Sequence, residues 1–293
     1  MSDGDRRPRL VSVVVPVRDE RRHLREQLDA VAAQDYPGDW ELVVSDDGSR
    51  DGSAELASAW TRERALGRVV ARSPGRGPGA ARNVGAREAS GDLLAFCDAD
   101  DVVCTDWLRA LVAAAAGADL VGGGEEAARL NDERSRECFG VHDPTAPFHD
   151  YLPRASGSNF GIWRDVFDAL GGFDEGSLTG EDVALTWRAH QAGYRYAAAP
   201  EAVVHKRFAT GLLDTALQYF AYGQGDAWLF RRFRADGMAR RSRRDTYVLY
   251  RHLVGRSTVL FRGPPVDRCR WVALAAVSSG RLVGSARYRV LFP

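Results

Sequence analysis

Lysine is nearly missing: of the 40 Lys and Arg residues only Lys206 is a lysine, a bias that reads as codon usage rather than function. Cysteine is sparse. Cys97, Cys104, Cys138 and Cys269 form no C-x-x-C pair, which argues against a zinc site or a disulfide framework and predicts a reducing, cytoplasmic setting. No apolar run approaches the roughly 20 residues of a membrane-spanning helix, so a membrane span is not expected. Residues 1–9 are polar and Arg-rich, without the apolar core of a signal peptide. Gly75-Arg76-Gly77-Pro78-Gly79 fits neither G-x-G-x-x-G nor a loop closed by Gly-Lys-Ser/Thr, which removes both a dinucleotide fingerprint and a P-loop.

What is present is an ordinary composition, 45% apolar and 27% charged over 293 residues, enough for one large α/β domain or two smaller ones. The net charge of zero conceals an asymmetry. Residues 1–204 hold 23 Arg against 35 Asp and Glu, a net −12, whereas residues 205–293 hold 17 Lys and Arg against 5 Asp, a net +12.

Val11-Ser12-Val13-Val14-Val15-Pro16 is a β-branched run and predicts a buried first strand. Leu24, Leu28, Val31 and Ala32 recur at helical spacing, predicting a helix over 20–33 with Asp19 as N-cap. Further strands are predicted at 41–45, 68–71, 93–97 and 120–122, with helices from Ser53, over 80–89 and over 106–116. This alternation predicts a mostly parallel, doubly wound α/β sheet with helices on both faces. Patterning lapses over 124–156, where His142-Asp143 and His149-Asp150 read as solvated turns rather than a second metal site.

Three carboxylates within four positions, Asp98, Asp100 and Asp101, close the apolar run that begins at Leu93. At the carboxyl end of a buried parallel strand, where open α/β sheets bind ligands, crowded carboxylates repel one another unless a cation sits among them. A hard divalent ion, Mg²⁺ or Mn²⁺, takes such oxygen ligands. Capping of the turn and the next helix by Asp98 and Asp101 is the competing explanation.

Four stretches, in this order, resemble the successive motifs of family 2 glycosyltransferases with the GT-A fold: Val15-Pro16-Val17-Arg18-Asp19-Glu20, Ser45-Asp46-Asp47-Gly48-Ser49, Gly79-Ala80-Ala81-Arg82-Asn83-Val84-Gly85 and Asp98-Ala99-Asp100-Asp101. Gly171-Gly172-Phe173-Asp174-Glu175, Gly180-Glu181-Asp182-Val183-Ala184-Leu185 and Gly193-Tyr194 are similar to the acceptor-side signature of that family. The resemblance covers residues 10–207. It implies metal-dependent, inverting transfer of a sugar from a nucleotide-diphosphate sugar, a UDP-sugar favoured, to an acceptor hydroxyl.

The resemblance also implies residue roles. Pro16, Val17 and Glu20 fall in the first nucleotide-binding loop, Asp47 would bond the base, and Arg82 would reach the base or diphosphate. Asp98 and Ala99 would contact the donor, Asp98 sharing the Mg²⁺ or Mn²⁺ with its direct ligand Asp100, and His205 matches a position near the metal. Asp182 would be the general base, taking the proton of the attacking hydroxyl, with Glu181 supporting it. The loop 73–79 would be a flexible wall of the donor pocket. Without the resemblance, Asp47 is an ordinary turn aspartate, Arg82 a solvated helix face, and Glu181-Asp182 a complement to a helix N-terminus.

Two other functions fit less well. A sugar-phosphate nucleotidyltransferase would carry a glycine-rich basic loop where Val17-Arg18-Asp19-Glu20 stands. A nucleotide-sugar-binding protein without turnover would not need both Asp100 and Asp182. The expected organisation is a flexible terminus (1–9), a nucleotide-sugar-binding half (10–101), an acceptor-binding and catalytic half (102–205) and a basic, mainly helical extension (206–293). In that extension Gly223 and Gly225 interrupt a helical pattern over 215–232, and arginines flank short apolar segments. The extension either docks on the acidic remainder or attaches weakly, in a salt-sensitive way, to anionic membranes at the inner face of the plasma membrane; nucleic acid is not expected, for want of a binding motif.

Overall fold

The computed structural model describes residues 6–71, 75–177 and 179–293. The chain runs through β1 (Val11–Val17), α1 (Leu24–Ala32), β2 (Trp40–Asp46), α2 (Ser53–Arg64), β3 (Arg68–Ala71), α3 (Pro78–Glu88) and β4 (Leu93–Cys97). It continues with β5 (Val102–Val103), α4 (Trp107–Ala115), β6 (Leu120–Glu126), α5 (Glu133–Cys138), β7 (Pro147–Phe148), β8 (Leu152–Pro153), β9 (Asn159–Trp163), α6 (Arg164–Ala169), α7 (Glu181–Gln191) and β10 (Tyr196–His205). Helices α8 (Leu212–Phe233), α9 (Arg243–Gly255), α10 (Val259–Arg262) and α11 (Pro265–Tyr288) complete it.

One eight-stranded sheet has the order β3-β2-β1-β4-β9-β6-β10-β5. It is mostly parallel, as expected: β1 pairs parallel with β2 and β4, β2 with β3, and β6 with β10. Strand β9 runs antiparallel between β4 and β6. The β-branched residues of β1 and the whole of β4 are buried, the signature of strands covered on both faces. From β1 the chain steps outward to β2 and β3, then returns to lay β4 on the other side of β1. Their carboxyl ends therefore flank a topological switch point, where such sheets open a ligand crevice.

Several local expectations are corrected. Helix α1 starts at Leu24, and Asp19 does not cap it: its φ is 54° and its carboxylate accepts the Arg50 N–H at 2.7 Å, tying the loop after β1 to the loop after β2. The region 124–156 is not unpatterned, since β6 extends to Glu126 and α5 and the β7–β8 hairpin follow. Cys138 and Cys269 are disulfide-bonded, Cα atoms 6.2 Å apart, joining α5 to α11. Their separation of 131 residues hid the pair from a search for close spacing, and it removes the basis on which a reducing compartment was expected. Residues 72–74, the start of the glycine-rich loop expected to wall the pocket, and residues 1–5 of the amino terminus lie outside the described residues.

The basic carboxyl-terminal region packs on the rest of the chain. Trp187, Val183 and Ala184 of α7 share a buried cluster with Ala227, Leu229, Phe230 and Phe233 of α8 and with Phe292. Gly223 and Gly225 do not break α8. They are contact points: a Cβ on Gly223 would collide with the Val277 carbonyl and lie 2.8 Å from the Arg281 nitrogen of α11, and one on Gly225 would meet the Thr179 backbone oxygen at 2.8 Å. Only residues without a side chain let the helix axes approach this closely. No helix among the described residues is long and apolar enough to cross a membrane.

Candidate functional site

At the switch point a cavity of about 830 Å³ opens between the sheet edge, the start of α7, and helices α8 and α11. Pro16, Val17, Glu20, Asp47, Arg82, Asp98, Ala99, Asp100, Glu181 and Asp182 all line it. Residues scattered over 167 positions of sequence thus share one wall, and His205 is not among them.

The donor-facing side is built by loops. After β2, Asp46 accepts the Gly48 N–H at 3.0 Å and the Ser49 N–H at 3.2 Å and so shapes its own turn. Asp47, 2% exposed, reaches across and accepts the Arg76 and Gly77 N–H groups at 3.1 and 3.0 Å. Oδ2 also accepts from Arg18 Nη1 at 3.4 Å, whereas Oδ1 keeps a second lone pair with which Asp47 can accept from a ligand. Glu20 faces the strand-end carboxylates. Burial, with Asp100, Asp51 and Asp98 close by, pushes its carboxyl up to about 7.

At the end of β4, ligand atoms of Asp98, Asp100 and Asp101 lie within 4.8 Å of one another. An oxygen set of this kind suits a hard divalent cation. Asp101 joins the two carboxylates expected there. His205 does not: its Nδ1 lies 2.7 Å from Glu126 Oε2 and its Nε2 3.1 Å from Cys104 Sγ, so both ring nitrogens are engaged away from the cluster. The strand alternation that turns His205 away turns Lys206 in. Lys206 Nζ lies 2.8 Å from Asp101 Oδ2 and 3.5 Å from Asp98 Oδ2.

Arg82 is neither solvated nor free to reach a ligand with both arms. Its guanidinium, 4% exposed, spans the site, 2.7 Å from Asp98 Oδ1 and 2.6 Å from Glu181 Oε1. Burial opposes its charge, but Asp98 and Glu181 more than offset this and hold it firmly protonated. Burial and then the adjacent Asp182 push Glu181 up to about 7, with Arg82 pulling the other way.

Helix α7 begins after Gly180, whose φ of 83° turns the chain so that Glu181 points inward and Asp182 into the cavity. Glu181, next to Asp182 in sequence, is buried against Arg82. Asp182 Oδ2 accepts the Gly157 N–H at 2.7 Å and Oδ1 the Val183 N–H at 2.8 Å, with Arg154 Nη1 3.9 Å away. The far wall carries residues that sequence reasoning passed over. His149 Nε2 lies 2.7 Å from Asp226 Oδ1, and Arg281 Nη2 2.8 Å from Asp226 Oδ2. His142 Nε2 donates to the Arg154 carbonyl, 2.9 Å away. Asp143 does serve a turn, accepting from Thr145, but His142 and His149 line the cavity rather than solvated turns. Lys206 had one sequence signal, its being the single lysine; Asp226 and Arg281 had none, since α8 and α11 bring them together from 55 residues apart.

The sequence model of glycosyl transferase family 2 matches residues 12–139. Among curated proteins, glycosyltransferase AglE of Haloferax volcanii is 33% identical over 63% of this chain and 62% of its own length. The succinoglycan biosynthesis protein ExoO of Rhizobium meliloti is 31% identical over 69% of this chain and 62% of its own length. The chain thus spans about three-fifths of these relatives. Among solved structures, a mannosyltransferase from Pyrobaculum calidifontis in complex with GDP-mannose and Mn²⁺ superposes with a TM-score of 0.69 at 21% identity, over 94% of this chain and 88% of that one. TarS of S. aureus, residues 1–349 in complex with UDP, gives 0.58 at 17% identity over 97% and 93%. These likenesses establish the GT-A fold.

Proposed function

The chain belongs to glycosyl transferase family 2, and on that premise we propose that it transfers a sugar from a nucleotide-diphosphate sugar, a UDP-sugar favoured, to an acceptor hydroxyl with inversion at the anomeric carbon. One observation carries this: Asp182, Asp98 and Asp100 line the same cavity at the switch point of the sheet, with Asp101 buried directly behind the latter two. Pro16, Val17, Glu20 and Asp47 hold the nucleotide, the last through the lone pair that remains on its Oδ1. The acceptor hydroxyl attacks the anomeric carbon and its proton passes to Asp182, while the bond from that carbon to the phosphate oxygen breaks and the nucleoside diphosphate leaves. Each Asp182 oxygen accepts one backbone N–H and keeps a lone pair for that proton. Asp100 and Asp98 would hold a divalent ion, Mg²⁺ or Mn²⁺, which would supply positive charge to offset that developing on the leaving diphosphate. Glu181 acts by fixing Arg82 rather than by touching substrate.

The test is a panel of nucleotide-sugars, scored first by Mn²⁺-dependent thermal stabilisation and then by donor hydrolysis. A matched donor raises the melting temperature by the mass-action effect of a ligand that binds only the folded state. Binding without hydrolysis or transfer for any donor would leave a sugar-nucleotide-binding protein as the better account.

We further propose attachment to anionic lipid through α9 and α10. Tyr247, Val254 and Phe261 there are 67–80% exposed, and Arg243, Arg244, Arg251, Arg256 and Arg262 stand beside them. Each basic group near an anionic surface contributes about 1 kcal/mol. Sedimentation with anionic liposomes at low salt checks this; absence of binding there, or binding that high salt leaves intact, would refute it.

A further inference from the structure

Lys206 has no part in the transfer step, yet its ammonium lies against two carboxylates of the cluster, Asp101 and Asp98. Asp101 is fully buried and is held from two sides, by Lys206 Nζ at 2.8 Å and by the Arg207 N–H, also at 2.8 Å. Asp98 is divided: its Oδ1 bonds Arg82 while its Oδ2 faces Lys206 at 3.5 Å. Two carboxylates of the cluster, Asp98 and Asp101, thus face the one ammonium. The set of oxygens that suits a divalent ion therefore already carries a cation, and two like charges do not share such a space without repulsion.

Resting on the glycosyltransferase reading above, we propose that Lys206 is the resident cation of the Asp98, Asp100 and Asp101 cluster and a direct ligand of the donor diphosphate, moving from carboxylates to phosphate as a divalent ion enters. A lysine ammonium is a compact point charge that binds phosphate well, and its flexible stem permits the exchange. In the nucleotide-free protein an entering ion must displace the ammonium with nothing to receive it. A bound diphosphate receives it. The ion alone accordingly binds weakly, ion and nucleotide bind together, and by linkage each tightens the other by the same factor.

Titration calorimetry of the full chain with MnCl₂, with and without saturating UDP or GDP, tests this on the wild type and on Lys206→Met. In the wild type the nucleotide tightens Mn²⁺ at least roughly tenfold. In Lys206→Met the nucleotide-free protein takes Mn²⁺ roughly ten- to a hundredfold more tightly than the wild type, because a neighbouring unit charge moves a titrating site by about one to three decades. The coupling to nucleotide shrinks correspondingly. Lys206→Gln, which keeps a donor toward Asp101, serves if the methionine variant does not fold. Equal Mn²⁺ affinity in both nucleotide-free proteins, tight Mn²⁺ binding by the wild type without nucleotide, or no Mn²⁺ uptake in its presence would each overturn the role of Lys206. Failure of UDP and GDP to bind under any condition would instead sink the donor reading on which the proposal rests.

Discussion

Replacing Arg82 by methionine should destabilise the protein in a way that depends on pH. The guanidinium bonds both Asp98 and Glu181, and removing it leaves the buried Glu181 and the half-buried Asp98 facing one another across the site. Breaking a buried ion pair from one side costs about 3–5 kcal/mol. The sign with pH follows from the two acids. Asp98 is held below its ordinary range chiefly by Arg82, against its burial, so in the wild type it contributes stability above pH 3.8 that is lost only as pH falls. Without Arg82 that contribution disappears. Glu181, already pushed up to about 7, rises further, so the stability tied to its protonated form is lost as pH increases through 7. At pH 5 Glu181 is neutral and only Asp98 has lost a partner, keeping Lys206 at 3.5 Å, so the cost is about half that at pH 8. A loss of ~4 kcal/mol at pH 8 corresponds to a fall in Tm of ~8–16 °C for a chain of this size, against ~4–8 °C at pH 5. Urea unfolding at the two pH values, in EDTA, measures it. A cost below about 1 kcal/mol at pH 8, or the same cost at both pH values, would refute the bridging role.

Asp182→Asn should leave the donor dissociation constant unchanged while lowering kcat roughly a hundredfold or more, the scale of a lost general base; a product with retained anomeric configuration would exclude the mechanism outright. Glu20→Gln addresses a carboxyl whose folded pKa is raised from 4.5 to about 7, so the stability it contributes is complete below 4.5 and lost as pH rises through 7. The neutral amide should therefore change little at pH 5 and stabilise the metal-free protein by about 1 kcal/mol at pH 8, after discounting for partial exposure; identical melting shifts at both pH values would contradict this. Gly223→Ala should cost about 2–3 kcal/mol by forcing α8 and α11 apart. A measured change within about 0.5 kcal/mol in urea would contradict the close α8–α11 crossing at Gly223.

Legibility of this chain followed locality. β4 was readable to its end residues because Leu93 to Cys97 is buried on both faces and the polar Gly91-Asp92 and Asp98 stop it abruptly. The same logic made the strand-end carboxylates conspicuous, and the expected order of strands and helices set the mostly parallel sheet. Asp19 misled because a short acid before an amphipathic stretch is the usual N-cap, whereas here its carboxylate serves a neighbouring loop 31 residues on. Gly223 and Gly225 misled for the opposite reason: a helix normally loses stability at glycine, and only the contact with α11 and Thr179 shows why they are tolerated.

The charges were the least legible part, since what each does depends on a partner far away in sequence. Arg82 reads as a solvated arginine until α7 brings Glu181, 99 residues away, against it. His205 and Lys206 are adjacent, and which of them meets Asp101, more than 100 residues away, is decided by the strand register that pairs Val204 with Val103 and His205 with Val102. A shift of one residue in that register would exchange the faces of the two side chains. The cation that neutralises the carboxylate cluster is thus a consequence of the β10–β5 pairing, and the distribution of −12 and +12 along the chain is partly spent across this contact, through Lys206 on Asp98 and Asp101 and Arg207 on Glu26.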